Sequence, residues 1–127
     1  MVTLYQFGTA WEINPSPFCM KMETYLRLAG VPYKVRRTMP NKAPRGKLPY
    51  IEDKGRIIPD SGEIIEYLKA TYGDPLDSGL THEQRALGHL VRRTLEGSLF
   101  FVLAYSRWQD PVGMAVMAEA ALEFLNK

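Results

Sequence analysis

Gly46-Lys47-Leu48-Pro49-Tyr50-Ile51-Glu52-Asp53-Lys54-Gly55-Arg56-Ile57-Ile58-Pro59-Asp60-Ser61 predicts a β-hairpin that runs directly into a helix. Leu48-Pro49-Tyr50-Ile51 starts one strand, Asp53-Lys54-Gly55 makes a tight turn, and Arg56 to Ile58 returns beside it. Asp60 with Glu63 three residues on matches a capping box. It opens a helix whose Ile64, Ile65, Leu68 and Tyr72 face inward, and Gly73 closes it.

Upstream, Thr3 to Phe7 alternates and favours a strand, and Gly8 begins an irregular stretch through Trp11 to Pro15. Ser16-Pro17 is a helix start, because a serine oxygen accepts an orphan amide hydrogen bond and proline loses nothing at the first helical position. Phe18, Met22, Tyr25, Leu26 and Ala29 follow at helical spacing, and Gly30 supplies the stop. After Val31-Pro32 a second strand runs from about Tyr33 to Thr38, then a basic loop from Met39 to Lys47. A helix crossing between the first two strands makes them parallel, and the hairpin adds antiparallel partners. The expected architecture is α/β, a small mixed four-stranded sheet flanked by helices over residues 1–73.

Downstream, Gly73 to Gly79 reads as a linker. Thr81 and Gln84 suggest another capping box, followed by a stripe of Leu87, Leu90, Val91, Leu95, Leu99 and Val102 along a long helix. Asp110-Pro111 opens a last helix from Val112 to Leu125, with Met114, Met117, Ala121 and Leu125 as its buried face. Residues 80–127 thus form an all-helical region. Its stripe needs a partner, since monomers rarely expose large apolar patches. A homodimer or swapped assembly covering Leu87, Leu90, Leu95 and Leu99 is expected.

A chain of 127 residues buries one full core plus a helical appendage. The net charge is only +2, with basic residues interleaved among Asp and Glu, which argues against nucleic acid or a membrane surface as partner. The N-terminus lacks a signal-peptide pattern, and Leu99 to Ala104 is far shorter than the roughly 20 residues a membrane span needs. The single Cys19 precludes an internal disulfide, and His82 and His89 stand in no metal-ligand motif, so no metal site is expected. A cytoplasmic location fits this cysteine usage.

Three features carry chemistry. Ser16-Pro17-Phe18-Cys19 opens a helix, where free amides and the helix dipole favour a negative charge such as a thiolate. Ser16 is either a plain N-cap or a hydrogen-bond donor to a bound thiolate, with no partnered base to make it a nucleophile. Cys19 has no resolving partner and reads as a core residue. Pro49 follows either a trans bond at an edge strand or a cis bond that turns the Leu48 backbone toward a ligand. Asp60-Ser61 either caps its helix or also holds a carboxylate and an ammonium, while Lys42, Arg45 and Lys47 form a solvated basic loop or meet a second carboxylate.

Together, in this order and at this spacing, the three features resemble the thioredoxin-like N-terminal domain of the glutathione transferase superfamily. More narrowly, Pro15-Ser16-Pro17-Phe18-Cys19 running into Met22-Glu23-Thr24-Tyr25-Leu26, with Lys42-Ala43-Pro44-Arg45-Gly46-Lys47-Leu48-Pro49-Tyr50-Ile51-Glu52-Asp53, looks like its metaxin and failed-axon-connections branch. The resemblance covers about residues 2 to 107. It implies a glutathione site in which Leu48, before a cis Pro49, pairs with the cysteinyl backbone. Asp60 and Ser61 would hold the γ-glutamyl end and Lys47 would lie near the glycyl carboxylate. Ser16 takes the position of the catalytic serine or cysteine, and Tyr5 is an alternative thiol partner. It also implies that the helical region is short of the family's full set of helices.

The expected function is a glutathione transferase that stabilises the thiolate of its co-substrate glutathione for attack on a small electrophile. Because the metaxin branch includes import and binding proteins, a non-catalytic interaction module is the alternative. A glutaredoxin-like oxidoreductase is a third reading, opposed by serine where such enzymes need a reactive thiol.

Overall fold

The computed structural model describes residues 1–125. Strands β1 (Val2–Gln6), β2 (Tyr33–Arg37), β3 (Tyr50–Asp53) and β4 (Arg56–Pro59) form one sheet in the order β2-β1-β3-β4. β1 and β2 are parallel, β1 and β3 antiparallel, and β3 and β4 form the hairpin. This is the mixed thioredoxin-like arrangement, with β3 beginning at Tyr50 rather than at Leu48.

Helix α1 (Pro17–Leu28) crosses between β1 and β2 and buries Cys19, Met22 and Leu26. It ends where Gly30 takes φ 67°, a left-handed conformation that glycine adopts without penalty. Helix α2 (Ser61–Tyr72) buries Ser61, Ile64, Ile65 and Leu68. Ile64, Ile65 and Leu68 join Met22 and Leu26 of α1 and Val2, Leu4, Val31, Ile51 and Ile58 in one core between the sheet and the two helices. Each such aliphatic side chain contributes about 1.5–3 kcal/mol on removal from water.

Two expectations for α2 need correction. Its capping box is only half formed: Asp60 accepts from the Gly62 and Glu63 amides, but Glu63 turns outward to Arg45. Tyr72 is 38% exposed rather than part of the core, and its hydroxyl reaches the hairpin. That hydroxyl and the Tyr67 hydroxyl donate to the buried Asp53 Oδ2 at 2.8 and 2.9 Å, tying the end of α2 to the hairpin turn. Burial and the neighbouring carboxylate push the Tyr72 phenol up to about 12.

The connection from Gly73 to Gly79 is held by charge, with Lys69 bonded to Asp77 at 2.5 Å and Arg85 donating to the Asp77 carbonyl at 2.6 Å. Helix α3 (His82–Arg93) starts at the expected box, Thr81 and Gln84 each bonding the other's backbone amide. It continues through a π-helical turn at Thr94–Leu99 into α4 (Phe100–Trp108). The wider turn coincides with a bond from Lys21 on α1 to Glu96 at 2.5 Å. Every residue of the predicted stripe, from Leu87 to Val102, is exposed.

Helix α5 (Pro111–Leu125) is capped by Asp110, which accepts from the Val112 and Gly113 amides. Among its described side chains Met117 and Ala120 are buried, while Met114 is half exposed. The predicted burial of Met114 fails because α5 packs on α4 through Gly113 and the turns after it, leaving Met114 turned to solvent. The Leu125 side chain lies outside the described residues. Among the described residues no helix is long and apolar enough to cross a membrane, and no His, Cys, Asp and Glu group could hold a metal.

Candidate functional site

The pairing registers bring the three sequence features to one end of the sheet. Tyr5 pairs with Tyr50, and Tyr50 with Pro59, so Phe7 after β1, Pro49 before β3 and Asp60 after β4 leave the same edge together. The start of α1 closes on that edge: Cys19 packs with Leu48 and Tyr50, against Phe7 and Ala43.

Ser16 is the N-cap of α1, and its Oγ accepts from the Cys19 amide at 3.3 Å. That bond uses an oxygen lone pair and leaves the hydroxyl proton available as a donor, so capping and ligand binding are compatible. Asn14 orients the approach by accepting from the Ser16 amide at 3.0 Å and donating to the Phe7 carbonyl at 3.1 Å. Cys19 is fully buried, and burial pushes its thiol up, only partly offset by hydrogen bonding to Ser16 and Phe7. This thiol is a packing group, as expected. Tyr5 stacks on Tyr50 with ring centroids 4.4 Å apart, and its hydroxyl donates to Glu52 at 2.9 Å. The hydrogen bond to that carboxylate pushes the Tyr5 phenol above its ordinary range.

The Leu48–Pro49 bond is cis and both residues are buried. Asp60 is exposed with φ 66°, a left-handed backbone unusual for a non-glycine residue, and Ser61 behind it is buried. Lys47, next to Leu48 in the chain, is exposed. Arg45 is engaged by Glu63 at 2.9 Å, so this member of the basic loop is already paired.

Ser16 also stands on the rim of an apolar cavity of about 330 Å³ between the start of α1 and the C-terminal helices. Phe7, Pro15, Phe18, Phe100, Leu103 and Met117 line it, with Arg107 and Trp108 at the end of α4. Phe18 and Phe100, 5.0 Å between ring centroids, also line a second apolar cleft of about 450 Å³ that reaches Leu95 and Leu99. The sequence did not single out Phe100, Arg107, Trp108 or Met117 as site residues. They approach Ser16 from the far side of the linker, and only the apolar character of 99–104 hinted at them.

A family model described as Glutathione S-transferase N-terminal domain matches residues 17–113. The chain belongs to the glutathione S-transferase N-terminal domain family. The match continues past the linker through α4 to the first turn of α5, and Met117 lies beyond it. The chain is 38% identical over 120 residues to the isoprene-epoxide glutathione S-transferase of Rhodococcus sp. (strain AD45), covering 89% of this chain and 50% of that protein. It is 41% identical over 113 residues to Failed axon connections of Drosophila melanogaster, covering 87% and 27% respectively. Human Metaxin-2 matches at 25% identity over 93% of this chain and 46% of its own length. The chain therefore spans half or less of the curated relatives it matches. A diazinon-metabolizing glutathione S-transferase of the silkworm Bombyx mori shares the fold, with a TM-score of 0.65 at 19% identity over 91% of this chain and 61% of that one. A glutathione transferase homologue from Burkholderia, solved with bound glutathione, superposes with a TM-score of 0.62 at 22% identity over 76% and 54%.

Proposed function

We propose that the chain binds reduced glutathione at the shared sheet edge and stabilises its thiolate for attack on a small apolar electrophile. The observation that carries this reading is the position of Ser16, at once the N-cap of α1 and one of the residues that line an apolar cavity. In this reading Leu48 pairs its backbone with the cysteinyl residue, Asp60 and Ser61 take the γ-glutamyl end, and Lys47 faces the glycyl carboxylate. Ser16 donates to the sulfur.

The energetics are adequate without a general base. An ordinary thiol near pKa 8.5 must fall by about two units to be mostly ionised at neutral pH, which is about 2.7 kcal/mol. One hydrogen bond to a charged group supplies roughly 1.5–3 kcal/mol, and a helix N-terminus about 0.3–1 kcal/mol more. The thiolate then forms the new carbon–sulfur bond while the electron pair of the broken bond leaves with the electrophile's departing atom. The Rhodococcus relative is an isoprene-epoxide glutathione S-transferase, which makes a small epoxide the first electrophile to test. There the departing atom is the ring oxygen, which takes its proton from solvent.

The buried, protonated Cys19 gives a glutaredoxin-like reading no reactive thiol. We further propose that residues 1–73 form the glutathione-binding unit and 80–127 the helical unit, that the exposed stripe is covered in a homodimer, and that the protein works in the cytoplasm. A second reading, an interaction module, is favoured by that same stripe, since α3 buries none of its residues. Calorimetric titration with reduced glutathione separates the two. Saturable heat supports the site, and none at millimolar ligand supports the module.

A further inference from the structure

The segment that delivers Ser16 is gripped from the opposite half of the molecule. After β1 the chain turns through Trp11 and Glu12, both with positive φ, where Ala10 and Ile13 bridge. Within this loop the Asn14 side chain ties the Ser16 amide to the Phe7 carbonyl. Pro15 lies between them and has no amide hydrogen, so its carbonyl is the one backbone group through which it can be held. Arg107 on α4 donates from Nη1 to that carbonyl at 2.5 Å, across 92 residues of sequence. A second long-range bond joins the same loop to α5, where Glu123 accepts from the Trp11 amide at 2.9 Å.

We propose that Arg107 is a positioning residue for Ser16. It fixes the peptide unit immediately before the N-cap, and so the direction in which the Ser16 hydroxyl points. A guanidinium suits the task, because a planar donor on a half-buried stem is held more rigidly than a flexible ammonium. The consequence is that the chemistry at the start of α1 depends on where α4 sits. Removing Arg107 leaves the glutathione-binding residues in place while the hydroxyl loses its aim. The catalytic part of this inference rests on the proposed glutathione function, whereas the grip itself does not.

The test compares the unaltered chain with Arg107→Met and Arg107→Lys, using two readouts and no electrophile, so contacts with a second substrate play no part. In the ligand-free protein, Arg107→Met should speed amide exchange at Ser16 and Cys19 about tenfold, the loss of one bond to a charged donor. Exchange in β1 and α2 should stay as it was. With glutathione bound, the thiolate absorbance should titrate with its midpoint about one pH unit higher, while the affinity measured below both midpoints, where the bound thiol is protonated in either protein, changes less than about twofold. Arg107→Lys, which keeps the charge and one donor, should fall between, and it replaces Arg107→Met if that variant does not fold. Unaltered exchange at Ser16 and Cys19 would overturn the proposal, as would faster exchange with an unmoved titration midpoint. A midpoint that moves without any change in exchange would show a bare charge effect and would also overturn it. If the unaltered chain binds no glutathione, the proposed function fails, and the exchange data alone decide whether Arg107 holds Ser16.

Discussion

Ser16 shows how much one residue's local chemistry determines. Its N-cap role was legible because serine followed by proline marks a helix start, and the structure adds that the same residue is among those lining the cavity. The cis bond before Pro49 was open in the sequence, since either isomer suits a proline at a strand's edge, and the fold selects cis. Arg107 was invisible because its partner, a backbone carbonyl, has no side-chain signature and lies 92 residues away. For Ser16→Ala the account predicts roughly 10–100-fold slower conjugation near neutral pH, from the lost hydrogen bond to a charged sulfur. Glutathione affinity measured below the midpoint of the bound thiol should barely change, because the lost bond acts on the charged sulfur. Removing the cap costs a further ~1 kcal/mol of stability. Turnover against pH, alongside thermal melting, checks this, and unchanged turnover would remove Ser16 from the mechanism.

At the level of elements, periodicity and caps located every strand and helix on the sheet, because each has a local start and stop: Ser16 and Gly30 for α1, Asp60 and Gly73 for α2. Side-chain partners across elements were less legible. Glu63 goes to Arg45 instead of closing its box, and α5 buries Met117 and Ala120 instead of Met114, since the rotation of a helix is set by what it packs on. The π-helical turn after Arg93 likewise has no sequence mark. Gly113 decides how α5 sits: a Cβ built there would lie 1.7 Å from the Ser106 carbonyl oxygen, so α4 and α5 touch only because this residue lacks a side chain. Gly113→Ala should force the helices apart and cost about 1–3 kcal/mol, as overpacking does. A melting temperature lower by several degrees is the expected readout. An unchanged melting temperature would mean that the α4–α5 contact contributes little.

On the scale of the whole molecule, a packed α/β half meets a helical half whose outer surface is left apolar. Leu87, Leu90, Leu95 and Leu99 are each at least half exposed, and the proposed homodimer would cover them. Light scattering should give twice the 14.5 kDa chain mass, and a Leu90→Glu and Leu95→Glu double variant should be monomeric. A monodisperse monomer of the unaltered chain would contradict the dimer. The sheet edge where Ser16, Leu48, Pro49, Asp60 and Ser61 meet carries the central claim, that the chain holds glutathione. The measurement that tests it most directly is calorimetric titration of the chain with reduced glutathione, beside an Asp60→Ala and Ser61→Ala double variant. The account predicts saturable binding that the double variant loses while keeping its fold. No heat at millimolar glutathione, or binding that survives both substitutions, would contradict it.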